Sequence, residues 1–153
     1  MSQDKPGVLV LPPVLYAGAL AAGLLLHLFV PRQPFTLWVA RPLGALLLIA
    51  SGALAGWGEK TMRRAGTNVS PNQPALTIVS AGPFRFTRNP LYLSLIGLYL
   101  GVTLLIDALW PLLLLVPVVV ITHYGIIRRE ERYLEAKFGE AYRSYKARVR
   151  RWL

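Results

Sequence analysis

Arg85, Arg88 and Asn89 stand directly ahead of Pro90-Leu91-Tyr92 and a long apolar run. Two guanidiniums at the mouth of a membrane-like segment are the chemistry of an anion site. Asn89-Pro90 adds a helix start, because Asn can cap free backbone N–H groups and Pro at the first helical position loses no hydrogen bond. The positive end of a helix beginning at Pro90 then favours the same anion. A second cluster, His123-Tyr124 followed by Glu130-Glu131, stands where the next apolar run ends. Its carboxylates suit an ammonium or hydroxyl groups, so the two clusters together suit a zwitterion, with Arg85 or Arg88 on its carboxylate and Glu130 or Glu131 on its cation. An interfacial salt bridge between the same arginines and glutamates satisfies the pattern equally well.

The elements that hold these clusters follow from hydropathy. The chain has 153 residues, is 54% hydrophobic and gathers its apolar residues into blocks. Val8 to Val30, Pro42 to Trp57 (extendable to residue 38), Leu91 to Ile106 and Leu109 to Ile127 are almost free of charge. A span needs ~20 apolar residues, which the first and fourth meet and the second and third approach. The fold class expected is all-α, an integral membrane bundle of about four transmembrane helices in one domain, with a cytoplasmic loop over 66–89 and a cytoplasmic amphipathic helix over 128–153. The residues before Val8 read as a loose polar leader. The first run has only Lys5 as a basic lead and carries Pro12-Pro13 early, so it reads as a retained span and not a signal peptide.

Charge sets the orientation. The net charge is +10, with Lys60, Arg63, Arg64, Arg85 and Arg88 between the second and third runs and nine basic residues from Arg128 to Arg151. Only Asp107 lies between runs three and four. Positive loops stay cytoplasmic, which puts both termini and the middle loop on that side and the Asp107 turn on the other. The basic surplus also suits anionic membrane lipids, and no nucleic-acid fold fits around four apolar spans. There is no cysteine, hence no disulfide framework or thiolate chemistry, and no metal site is expected.

Runs three and four, joined around Asp107, form an antiparallel hairpin that returns His123 and Tyr124 to the depth of Arg88 and Asn89. Pro111 implies an early helix start and Pro117 a kink. Gly18, Ala19, Ala21, Ala22 and Gly23 in the first run, and Gly44 through Gly56 in the second, allow close helix contact. Gly66 to Pro83 is a loop by its Gly, Asn, Ser and Pro content, with Ala75 to Val79 apolar enough to fold back on the bundle. Leu134, Phe138, Tyr142, Tyr145 and Val149 line one face of a helix weakened only at Gly139, a pattern suited to lying on anionic lipid. His27 reads as an interfacial side chain.

The run Gly82-Pro83-Phe84-Arg85-Phe86-Thr87-Arg88-Asn89-Pro90-Leu91-Tyr92, the hairpin, Glu130-Glu131 and the Leu134, Phe138, Gly139, Tyr142, Tyr145 pattern resemble the isoprenylcysteine carboxyl methyltransferase and phospholipid methyltransferase superfamily. Gly66-Thr67-Asn68-Val69-Ser70-Pro71 is similar to the segment those proteins place before the motif. The resemblance covers roughly Gly66 to Trp152. It implies an integral membrane enzyme that takes S-adenosylmethionine from the cytoplasmic side and methylates a lipophilic acceptor. It also implies cofactor contacts from Arg88, Asn89, Pro90, Tyr92, Glu130 and Glu131, with Arg85 beside them. Arg88 and Glu131 are the candidate catalytic groups, and His123 or Tyr124 would assist an acceptor that must lose a proton. Asn89 stands where carboxyl methyltransferases usually carry His; Asn also occurs in phospholipid-methylating relatives, which weakens the prenylcysteine assignment. A non-catalytic membrane scaffold with a basic lipid-binding tail is the alternative from another class, and a transporter is disfavoured because no span carries a mid-membrane charge.

Overall fold

Prolines and positive-φ residues set the element boundaries in the computed structural model, which describes Gly7 and residues 10–153. Val8 and Leu9 of the first apolar run, the leader residues before Gly7 and Lys5 lie outside the described residues. Helix α1, Pro12–Phe29, starts on two prolines, whose missing N–H groups cost nothing in a first turn. It stops before Val30-Pro31, since a residue preceding proline avoids the helical region. Helix α2, Leu37–Arg64, carries Pro42 inside its second turn. It is longer than the expected 38–57 because its last turns, Gly58 to Arg64, are helical without being apolar. Hydropathy reports the membrane, and the helix outlasts it.

Helix α3, Pro90–Ile106, begins at the proline as expected. It ends at Asp107, which takes the left-handed conformation with φ 57°. Helix α4, Leu109–Ile121, holds Pro117 inside it and passes through a π-helical turn, Thr122–Ile127, into α5, Arg128–Phe138. Gly139, at φ 53° and ψ −121°, then ends α5, and α6 covers Glu140–Arg148. That backbone region is essentially glycine's own. The single C-terminal helix expected over 128–153 is therefore two helices and an extended tail.

No strand occurs among the described residues. Pro12–Phe29, Leu37–Arg64 and the continuous rod Leu109–Phe138 are long and apolar enough to cross a membrane, and Pro90–Ile106 is a shorter apolar helix of 17 residues. The molecule is a helical membrane bundle in which α3 is the axis: it packs on α2, on α1 and, as a hairpin, on α4. Close approach depends on glycine at several contacts, two of them helix backbone against helix backbone. A Cβ on Gly44 would stand 2.8 Å from the Gly101 carbonyl oxygen, and one on Gly23 would stand 2.7 Å from the Pro111 Cα. Gly18, Gly52 and Gly56 face open space instead, so only part of the small-residue pattern marks helix contact inside the chain.

Two buried clusters lock the helices together. Tyr16 of α1 meets Tyr99 of α3 edge-on at 6.3 Å, with Leu115 and Val118 of α4 beside them. The Tyr99 hydroxyl donates to the Pro111 carbonyl at 2.9 Å, satisfying a phenol that burial would otherwise penalise. Tyr92, Ile126 and Ile127 form the second cluster, over which Trp152 of the tail packs.

Candidate functional site

The inner end of the α3–α4 hairpin borders a cavity of about 490 Å³. Its walls come from the start of α1 (Leu11 to Val14), the end of α2 (Glu59, Met62, Arg63), the loop 67–79, residues 88–92 with Leu95, and α5 and α6. The loop residues Ala75, Thr77, Ile78 and Val79 do fold back onto the bundle. Thr67 Oγ1 accepts from the Leu76 N–H at 2.9 Å, Asn68 Nδ2 donates to the Pro74 carbonyl at 2.9 Å, and the Ala75 N–H donates to the Tyr133 hydroxyl at 3.2 Å.

Arg88 lies in the cavity wall with its side chain only 8% exposed. Its Nη1 is 3.1 Å from Glu131 Oε1, yet neither Nε nor Nη1 has a hydrogen-bond partner among the described residues. The charge contact is made off the direction a hydrogen bond needs. Buried guanidinium donors without acceptors cost roughly 1–3 kcal/mol in a folded protein, so Arg88 stands in the cavity wall with hydrogen-bonding capacity that the described residues leave unused.

The two glutamates have different fates. Glu131 is held by Arg151 through two hydrogen bonds, Nε to Oε1 and Nη2 to Oε2, both 2.8 Å. Burial raises its pKa, but the Arg151 hydrogen bond and the Arg88 charge outweigh that and hold the carboxyl below its ordinary range. Glu130 has no arginine; it accepts from the Tyr92 hydroxyl at 2.6 Å. Burial pushes it up to about 7, against the Tyr92 hydrogen bond and with a further rise from the Glu131 charge. Both lie past the apolar span, which ends at Ile127. Sequence pairing treated these carboxylates as equivalent: Glu131 belongs to the salt-bridge reading, whereas Glu130 is left with a tyrosine and no arginine.

Aromatic rings complete the walls. Tyr142, 2% exposed, and Tyr145, 5% exposed, come from α6 with Phe84. The Tyr145 hydroxyl donates to the Phe84 carbonyl at 2.8 Å. Burial and the Glu131 charge push the Tyr142 phenol up to about 12, against Arg88, so it is neutral at physiological pH. The amphipathic face of α6 therefore packs on the 82–88 segment and not on lipid. Glu135 and Lys146, 3.1 Å apart, fold α6 back against α5.

Of the other expected site residues, Arg85, His123 and Tyr124 lie away from the cavity, while Asn89, Pro90 and Tyr92 are in its wall. Arg85 closes the 3-10 turn Gly82–Arg85, is exposed and is absent from the cavity wall, because that short turn aims it outward while Phe84 turns in. His123 sits in the π turn away from the cavity, its Nδ1 accepting from Trp152 Nε1 at 3.2 Å and its Nε2 3.3 Å from Arg151 Nη1. An acceptor Nδ1 means a neutral ring committed to the tail, not a base facing a substrate. Tyr124 is exposed, with Arg128 over its ring at 5.6 Å. Asn89 precedes α3 without capping it; its Nδ2 donates to the Arg151 carbonyl at 2.8 Å. Pro90 and Tyr92 line the cavity.

The tail is what the sequence reading passed over. The Arg88 N–H donates to the Arg150 carbonyl at 2.9 Å and Thr87 Oγ1 to the Arg151 carbonyl at 3.2 Å, so an extended segment lies along residues 87–89. Aromatic Trp152 after a basic run was the available signal.

Chemically, the site offers one anion pole at Arg88, one carboxylate without an arginine at Glu130, held by Tyr92, and a largely apolar, aromatic cavity between elements. A family model described as phospholipid methyltransferase matches residues 39–141, more than half of the chain. A protein of Haemophilus influenzae described as uncharacterized is 47% identical over 64 residues, 41% of this chain and 100% of that protein. No solved structure matches.

Proposed function

The chain belongs to the phospholipid methyltransferase family, and we propose that it transfers a methyl group from S-adenosylmethionine to a lipophilic acceptor at the cytoplasmic face of a membrane. The observation that carries this reading is the pairing of unpartnered Arg88 donors with an arginine-free Glu130 in one cavity wall. Arg88 Nε and Nη1 suit the cofactor's carboxylate, and Glu130 suits its ammonium. Phe84, Tyr92 and Tyr142 give the wall an aromatic character suited to adenine and to a sulfonium cation. At about 490 Å³ the cavity is of ordinary size for a small-molecule site.

The bound cofactor supplies an already activated methyl group, which asks little covalent chemistry of the protein. This chain's residues orient and desolvate. Arg88 and Glu130 fix the two ends of the amino-acid moiety, which is catalysis by proximity. The 67–79 loop, tied to α5 through the Tyr133 hydroxyl, forms one wall of the cavity. Leu11, Pro12, Pro13, Val14 and Leu95 give an apolar wall suited to a lipid acceptor's chain. With His123 turned away, no imidazole serves as base in the cavity. The basic loops support cytoplasmic termini and binding of the surrounding surface to anionic lipid.

The test is to incubate the protein in lipid nanodiscs with methyl-labelled cofactor and a membrane extract, then identify what is labelled. A labelled lipid, lost in Arg88→Met, supports the reading. Cofactor binding without transfer to any lipid would sink it, as would transfer undiminished in Arg88→Met.

A further inference from the structure

Arg88's availability to a ligand is itself a structural problem. A buried carboxylate 3.1 Å from a guanidinium would ordinarily turn that contact into a bidentate pair, using up the arginine's fork. Glu131 does not: the fork of Arg151 spans both its oxygens at 2.8 Å and sets the plane of the carboxylate, and Arg88 Nη1 meets Oε1 off the hydrogen-bonding direction. Arg151 is not part of the cavity wall. It is fixed from behind: its carbonyl accepts from Asn89 Nδ2 and Thr87 Oγ1, and its neighbour Trp152 donates to His123 while stacking on that ring at 6.1 Å and 21°. Arg151 and Trp152 themselves lie beyond residue 141, where the family match stops.

We propose that Arg151 is a positioning residue that occupies Glu131 and so keeps Arg88 free for the carboxylate of the methyl donor. This rests on the function proposed above. Two consequences reach Arg88 if Arg151 is lost. Glu131, a buried charge left with one partner, closes onto Arg88 and takes its donors, since an uncompensated buried carboxylate is strongly unfavourable. The cluster Arg88, Glu131 and Arg151 also falls from one net positive charge to none, removing the field that draws an anion. The tail segment is then the back wall of the cofactor's carboxylate site, although it touches no ligand.

A structural role and a positioning role differ in which ligand notices. Calorimetric titration of the full chain in nanodiscs should compare S-adenosylmethionine with its decarboxylated analogue, which keeps the sulfonium, adenosine and ammonium groups. In Arg151→Met the affinity for S-adenosylmethionine is expected to fall by about tenfold or more, while the affinity for the analogue stays within about twofold. At saturating donor the turnover is retained, so the loss appears in KM. Arg151→Lys, a point charge that cannot span both Glu131 oxygens, should show a smaller loss with the same selectivity, and it carries the test if the methionine variant does not fold. Equal losses for both ligands, or no loss for either, would overturn the proposal while leaving the methyltransferase reading standing. Wild-type protein that binds neither ligand would overturn both.

Discussion

The two ends of the α3–α4 hairpin are built from similar materials and handled in opposite ways. At the outer end the buried carboxylate of Asp107 accepts the Phe35 N–H at 2.9 Å, the Leu109 N–H donates to the Arg32 carbonyl, and the Trp110 indole donates to the Val30 carbonyl at 2.7 Å. These groups answer one another, and the turn fastens the α1–α2 connection to the hairpin. At the inner end Arg88 keeps two buried donors unused and Glu130 keeps a charge no arginine shares. Burying polar groups is tolerable when they are paired, so the paired groups around Asp107 serve the fold, whereas the guanidinium donors and carboxylate left over at the inner end are the groups that the proposed methyl donor would answer.

The largest expected effect tests the inner end. Arg88→Met should weaken S-adenosylmethionine binding by about 2 kcal/mol or more, roughly 30-fold, with the melting temperature in nanodiscs unchanged or raised, because Glu131 keeps Arg151. A large loss of stability with it would make Arg88 a fold residue and erase the contrast. Next, Asp107→Ala should do the reverse: it leaves the Phe35 N–H without its acceptor and should cost about 1–3 kcal/mol of stability, read from unfolding, with cofactor affinity of the folded protein unaltered.

Acidity sharpens the same contrast. Glu130 must be ionised to hold an ammonium, so cofactor affinity should decline as pH falls through about 7, and Glu130→Gln should flatten that profile as well as lower the plateau. Stability of the free protein should move the other way. Because its folded pKa of about 7 lies above the ordinary 4.5, protonating Glu130 favours the fold as pH drops between those values. Glu131, depressed by its arginines, contributes stability that is present above its ordinary value and lost only as pH falls through its lower folded one. The smallest effect is Tyr145→Phe, which removes one hydrogen bond to the Phe84 carbonyl and should cost about 1 kcal/mol of stability.

Much of the inner end was legible in the chain because its signals are local. Asn89-Pro90 starts α3 where the residue types say, and the hairpin's length returns Glu130-Glu131 to Arg88 and Tyr92. Contacts between distant segments were not legible. Arg151 belongs to a basic run that reads as solvated or lipid-bound, and nothing in its spacing marks a bidentate bond twenty residues back to Glu131. Tyr142 and Tyr145 were visible as one helix face, but periodicity says that a face is buried without saying against what; protein, not lipid, covers it. Arg85 and His123 were chosen by residue type, and their directions depend on a 3-10 turn and a π turn that hydropathy does not encode. Gly139 read as a weak helical position because its cost is counted per residue, whereas its positive φ ends α5 outright.

Titration of S-adenosylmethionine into wild type, Arg88→Met and Glu130→Gln in nanodiscs tests the central claim most directly. Saturable binding by wild type with a large loss in each variant, all three remaining folded, is the predicted result. Wild type without binding, or variants that bind as wild type does, would contradict the assignment of the leftover donors and charge at the inner end to a zwitterionic methyl donor.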